Sequence, residues 1–144
     1  MSCLLLNRKS MGYEYRGPFF FGKVTTGAYV LAILLLVACP AHADEWTKED
    51  TYREAAYLAL HVADWGQTLE VANHPDEYHE TNPVLGSHPS RGRVNAYFIA
   101  TGILHPVVSY VLPRPYRELW QYGTIGIEII CVGNNAAIGV GFGF

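Results

Sequence analysis

"TYREAAYLALHVADWGQTLEVAN", Thr51–Asn73, is the stretch whose periodicity decides the fold. On a helix, Glu54, Tyr57, His61, Asp64 and Thr68 fall within about 80° of one another. Ala59, Val62, Ala63 and most positions around them are apolar. The segment therefore reads as an apolar rod with one narrow polar stripe. Thr47 followed by Asp50 forms a variant capping box that opens this helix, and Pro75 closes it.

Two later segments repeat the pattern. A second helix is expected from Arg93 to Leu112, bounded by Pro113 and Pro115. A third is expected from Tyr116 to Ala137, with Pro115 suited to its first turn. Gln121, Thr124, Glu128, Cys131 and Asn135 share one face of the third helix. Thr101, His105 and Ser109 share a face of the second, which has no Asp, Glu, Lys or Arg from Val94 to Leu112. Pro106 removes a helical donor and crowds the Gly102 carbonyl, so a kink beside His105 is expected. The tail "IGVGFGF" alternates large residues with glycine, and it reads as a frayed end.

A soluble three-helix bundle has a narrow apolar stripe facing inward and a broad charged surface. This chain has the reverse. Half of its residues are hydrophobic and 16% are charged, against a usual charged share of about 25%. The economical arrangement turns the polar stripes toward each other and the apolar flanks toward lipid. An acid at mid-bilayer costs about 2.5–3.5 kcal/mol and so must meet a partner. The natural pairing sets His61 or His105 against Asp64 or Glu128. The fold class expected is all-α, a three-helix bundle or hairpin of largely apolar helices following an N-terminal signal segment.

That segment occupies residues 1–43. Arg8, Lys9, Arg16 and Lys23 precede the apolar run "AYVLAILLLVA", and "CPAHADEW" follows. The small residues Ala41 and Ala43 place a signal-peptidase cut after Ala43. An uncleaved anchor is one alternative. A lipoprotein acylated at Cys39 of "LVAC" is another. Residues 44–144 then form a single helical, membrane-associated domain. That domain carries six basic against twelve acidic residues, a net charge of −6, and one of the three cysteines, Cys131, so it has no internal disulfide. Its basic residues do not cluster, which excludes nucleic acid as a partner on electrostatic grounds. Expected localisation is the cell envelope, at the inner membrane or its periplasmic face. The bilayer is the expected partner, together with a second copy or another envelope protein.

Between the first two helices lies "EYHETNPVLGSHPS", Glu77–Ser90. Asn, Asp, Ser and Pro suit such a turn, and His74, His79 and His88 match no zinc spacing. Glu80 and Asn82 are placed to bond exposed helix ends, with Pro83 fixing the turn. Alternatively Glu80 joins Asp64 and a histidine in an acid–base or metal site.

"LHVADWGQT", then "EYHETNPVLGSHPS" and "RPYRELWQY", together resemble small uncharacterised exported or membrane proteins of proteobacteria and their phages, over about residues 45–140. The pattern is D-W-G-Q-T followed by E-x-N-P-x-L-G. More remotely, Asp64, Thr68, Glu80, Asn82 and Pro83 are similar to a pattern in uncharacterised multi-pass membrane families. The resemblance implies a small membrane protein and assigns no activity.

Two functional classes follow. The first is a structural or interaction protein of the envelope, with no cofactor expected and Thr68, Asn82, Pro83, Gly86, Pro106 and Asn135 as structural positions. The second is a membrane-surface hydrolase or metal-binding protein. Its catalytic candidates are His61, Asp64, Glu80, His105 and Glu128, and a divalent metal would sit on His61, Asp64 and His105. A soluble periplasmic bundle, oligomeric through its second and third helices, is a further alternative. Trp46 and Trp120 stand near helix ends, where an interfacial belt would place them.

Overall fold

A computed structural model describes Leu6–Asn7 and residues 44–144. The expected leader, its cut after Ala43 and the Cys39 site lie outside the described residues. Within them the chain is an all-α bundle of three helices: α1 (Lys48–Asn73), α2 (Arg91–Val111) and α3 (Tyr116–Ala137). Two-residue strands β1 (Leu6–Asn7) and β2 (Tyr78–His79) pair antiparallel beside it.

Helix starts follow local chemistry. Thr47 and Asp50 form a reciprocal capping box on α1, and the Ser90 hydroxyl accepts the Arg93 amide at the start of α2. These bonds satisfy donors that the first turn leaves free. Helix α3 ends at Gly139, whose φ of 86° lies in the left-handed region. The Gly139 amide bonds Ala136 and the Val140 amide bonds Asn135, which completes a Schellman motif. Pro106 lies inside α2, which runs unbroken from Arg91 to Val111.

The connections make α1 and α3 parallel and α2 antiparallel to both. Both α2 and α3 pack on α1 but touch each other little. Among the described residues, fifteen buried side chains are polar or charged and eight are apolar or cysteine, so the interior is polar. A small apolar core of Leu69, Leu85, Val94 and Phe98, with Trp65 and Tyr97 against it, sits beneath the 74–90 connection, and a second cluster joins Val71 to Val140. The outside is apolar: Val62, Ile99, Ile103, Leu104, Val107, Leu119, Ile129 and Ile130 are all exposed. Between Ala55 and Leu69 in α1, Val94 and Val111 in α2, and Leu119 and Ala137 in α3, the only Asp, Glu, Lys or Arg are Asp64 and Glu128. Both of these are buried. The charge-free stretch of α2 is about 27 Å long at the usual helical rise.

One expectation is corrected. The tail is not frayed: the Gly143 amide donates to Gly66 O at 2.9 Å, and Arg91 Nη1 donates to Gly143 O at 3.0 Å. Two glycines allow this approach. A Cβ on Gly66 would lie 2.5 Å from the Phe144 ring, and one on Gly143 would lie 2.5 Å from the Glu70 backbone nitrogen. Arg117, in the first turn of α3, is fully buried. Cys131 is fully buried.

Candidate functional site

The polar stripes meet along the bundle axis in three tiers. At the end holding the α2–α3 turn, Asp50 is fully buried. Its carboxylate accepts from the Thr47 amide at 2.9 Å, from Arg117 Nη1 at 3.1 Å and from Arg53. Arg117 also donates to the carbonyls of Ser109 (2.9 Å), Leu112 (3.1 Å) and Asp44 (2.8 Å), and its guanidinium lies over the Trp46 ring. One side chain thereby fastens the α2–α3 turn to the segment leading into α1. Burial works against the Asp50 charge. The Thr47 amide and hydroxyl and the two guanidiniums outweigh it, holding the carboxyl well below the usual carboxylate range.

The middle tier holds two carboxylate–imidazole pairs. His105 Nδ1 donates to Glu54 Oε1 at 2.6 Å, and Nε2 lies 2.8 Å from Thr124 Oγ1. The other Glu54 oxygen accepts from Ser109 Oγ at 2.9 Å and Gln121 Nε2 at 3.1 Å. His61 Nδ1 meets Glu128 Oε1 at 2.9 Å, and Nε2 meets Phe98 O at 3.1 Å. Tyr57 joins the two pairs. Its ring stacks on His105 at a centroid distance of 3.5 Å, and its hydroxyl lies 3.4 Å from His61 Nδ1. In the third tier Asn135 Nδ2 donates to Asp64 Oδ1 at 3.2 Å, beside buried Thr68 and Gln67.

Of the expected site residues, His61 and Glu128 come together, and His105, on the other side of Tyr57, stands beside Glu54. Asp64 faces Asn135, not a histidine. Glu80 bonds within its own loop: its Oε1 accepts from the Thr81 and Asn82 amides at 2.8 Å each. Asn82 Oδ1 accepts from Val84 N at 2.9 Å. These two residues therefore shape their own loop, where helix-end capping was expected. Gly86, with φ 76°, closes that loop next to Pro83. Among the described residues no group of three or more His, Cys, Asp or Glu is placed to hold a metal ion. His61, Asp64 and His105 do not converge on one point, since each has its own partner.

Sequence reading missed Glu54 as the partner of His105, although Glu54 lies on the same stripe. Tyr57, Ser109, Gln121 and Thr124 stood on the expected polar stripes, and Arg117 alone of the network lay outside them. Trp120, expected in an interfacial belt, instead stacks on His105 at 5.0 Å. A crevice of about 200 Å³ opens between α2 and α3, with Tyr57, His61, Leu104, His105, Trp120 and Glu128 among its lining. No family model, curated protein or solved structure matches the chain.

Proposed function

We propose that the chain is a membrane-embedded protein of the cell envelope with a structural or interaction role. Its three helices share an ionisable interior and turn their apolar flanks to lipid. The observation that carries this reading is the inversion itself: carboxylates and imidazoles are inside, and isoleucine, leucine and valine are outside. Helix α2 is long and apolar enough to cross a membrane, and only 22% of its most apolar window is buried. A core helix of a soluble bundle would be mostly covered. The charge-free belt approaches the roughly 30 Å of a hydrocarbon core, and both ends of the bundle carry the charges. The resemblance to small exported membrane proteins belongs to the same reading. The chain is expected to stay with the membrane pellet through alkaline carbonate and high-salt washes, and its release into the supernatant would overturn the reading.

A second reading is favoured by one arrangement. Glu54, His105 and Thr124 stand in the order carboxylate, imidazole, hydroxyl, which activates a nucleophile in serine hydrolases. Against it, Thr124 Oγ1 lies 2.8 Å from Trp120 O and 3.0 Å from Gln121 O, so its proton is directed to the helix backbone. That geometry supports the structural role. If the hydroxyl is a nucleophile, a lipophilic fluorophosphonate will label the wild type and spare Thr124→Val. Equal absence of label in both is the expected result.

A further inference from the structure

Acceptors outnumber donors in the third tier. Asp64, Gln67 and Asn135 are 1%, 1% and 0% exposed. Asn135 Nδ2 donates to Asp64 Oδ1 at 3.2 Å, and Gln67 Nε2 donates to the Val132 carbonyl at 3.3 Å. Asp64 and Gln67 lie one turn apart on α1, and Val132 and Asn135 one turn apart on α3. Residues so spaced share a helix face, with Cβ atoms about 5–6 Å apart. The two bonds thus tie a single turn of α1 to a single turn of α3. Three side-chain oxygens of this junction have no hydrogen-bond partner among the described residues: Asp64 Oδ2, Gln67 Oε1 and Asn135 Oδ1.

Turning an amide over does not mend the imbalance. Reversing Asn135 would set its oxygen against Asp64 Oδ1, and reversing Gln67 would set its oxygen against the Val132 carbonyl. An acceptor opposite each amide therefore fixes its orientation. No Lys or Arg follows Arg53 in α1 or Arg117 in α3, so neither helix offers Asp64 a cation. Glu128, two turns before Asn135, is bonded by His61.

The charge of the junction states what completes it. A water molecule would donate to two of the three oxygens and leave the buried carboxylate unbalanced. A proton on Asp64 would make Oδ2 a donor, serve one amide oxygen and leave the other. A cation attracts all three, since hard cations take carboxylate and amide oxygens as ligands. One carboxylate and two neutral amides balance a single positive charge. A divalent ion favours several carboxylates or imidazoles, and among the described residues no three His, Cys, Asp or Glu are placed together to hold one. The three oxygens are closed to solvent, so the ion sheds its water and must be small.

We propose that this junction binds a desolvated sodium ion through Asp64 Oδ2, Gln67 Oε1 and Asn135 Oδ1. Bound there, the ion locks α1 to α3. The inference does not rest on the membrane reading, because the junction is buried whichever medium surrounds the bundle.

The test uses the full chain purified in neutral detergent with choline as the only small cation. The thermal midpoint is expected about 5 °C higher in about 150 mM sodium chloride than in the same concentration of potassium or choline chloride. The sodium NMR line should broaden on adding protein and sharpen again when lithium competes. Asp64→Asn places a neutral donor among the amide oxygens, so it should fold and lose both sodium effects. Gln67→Met removes one ligand and keeps the volume, and it should weaken sodium binding about ten-fold; it carries the test if Asp64→Asn does not fold. Equal midpoints in the three salts would overturn the inference, as would a sodium preference that survives in Asp64→Asn or is undiminished in Gln67→Met. A midpoint that responds to pH and ignores sodium assigns the carboxyl a proton and defeats the inference as well. A chain released by carbonate that still binds sodium defeats the membrane reading alone.

Discussion

Arg117→Ala is expected to destabilise the bundle by about 3–5 kcal/mol, because removing one member of a buried ion pair strands the other. Asp50 would remain fully buried with Arg53 as its nearest cation, and the carbonyls of Ser109, Leu112 and Asp44 would lose their shared donor. Arg117→Lys should recover only part of the loss, since one ammonium cannot span the directions that the guanidinium fork reaches. Equilibrium unfolding in mixed micelles measures both, and an alanine variant within about 1 kcal/mol of wild type would show that this tier contributes little. The same network fixes a pH dependence. The Asp50 carboxyl is depressed in the folded state, so its contribution is fully present above the unfolded carboxyl value of about 4. It is lost as pH falls through the folded value. Asp50→Asn should therefore lower stability by a constant amount from neutral pH down to about pH 4, and by less only below that.

Ile103→Asp should remove the chain from the membrane fraction. Ile103 is 63% exposed near the middle of α2, where an aspartate facing hydrocarbon costs about 2.5–3.5 kcal/mol. Aspartate is too short to bring its charge to the interface. On a water-facing surface the same change would fall within about 0.5 kcal/mol and would improve solubility. Quantifying pelleted against soluble protein separates the two, and unchanged pelleting of a stable Ile103→Asp chain would count against lipid contact on this face.

The three helices and their polar faces were legible because each signal is local. A period of 3.6 residues, two proline boundaries and a capping box need no knowledge of the partner. Which acid meets which imidazole was legible only in part. His61 faces Glu128 as expected, but His105 faces Glu54 and Asp64 faces Asn135. Pairing depends on axial register, which a helical wheel does not contain. In the parallel pair α1 and α3 a single offset of 67 residues brings Asp50 to Arg117, Glu54 to Gln121 and His61 to Glu128. That offset is set by the two connections and by the length of α2. The burial of Arg117 was not legible, because nothing local announces that six acceptors surround it. The docked tail was missed for a related reason: Gly66 and Gly143 permit the approach only because they meet each other, 77 positions apart in the chain.

The central place of α1 has a consequence for how the protein is made. Its acids and imidazole find their partners 51 to 71 residues further along the chain. At about 5–20 residues per second, translation leaves that helix waiting for several seconds. On the proposed membrane reading, it would not partition sideways into the bilayer on its own during that interval. The insertion machinery would hold it, or it would rest at the interface, until α3 emerges. The last helix synthesised would then act as the latch, and the three helices would enter the membrane together.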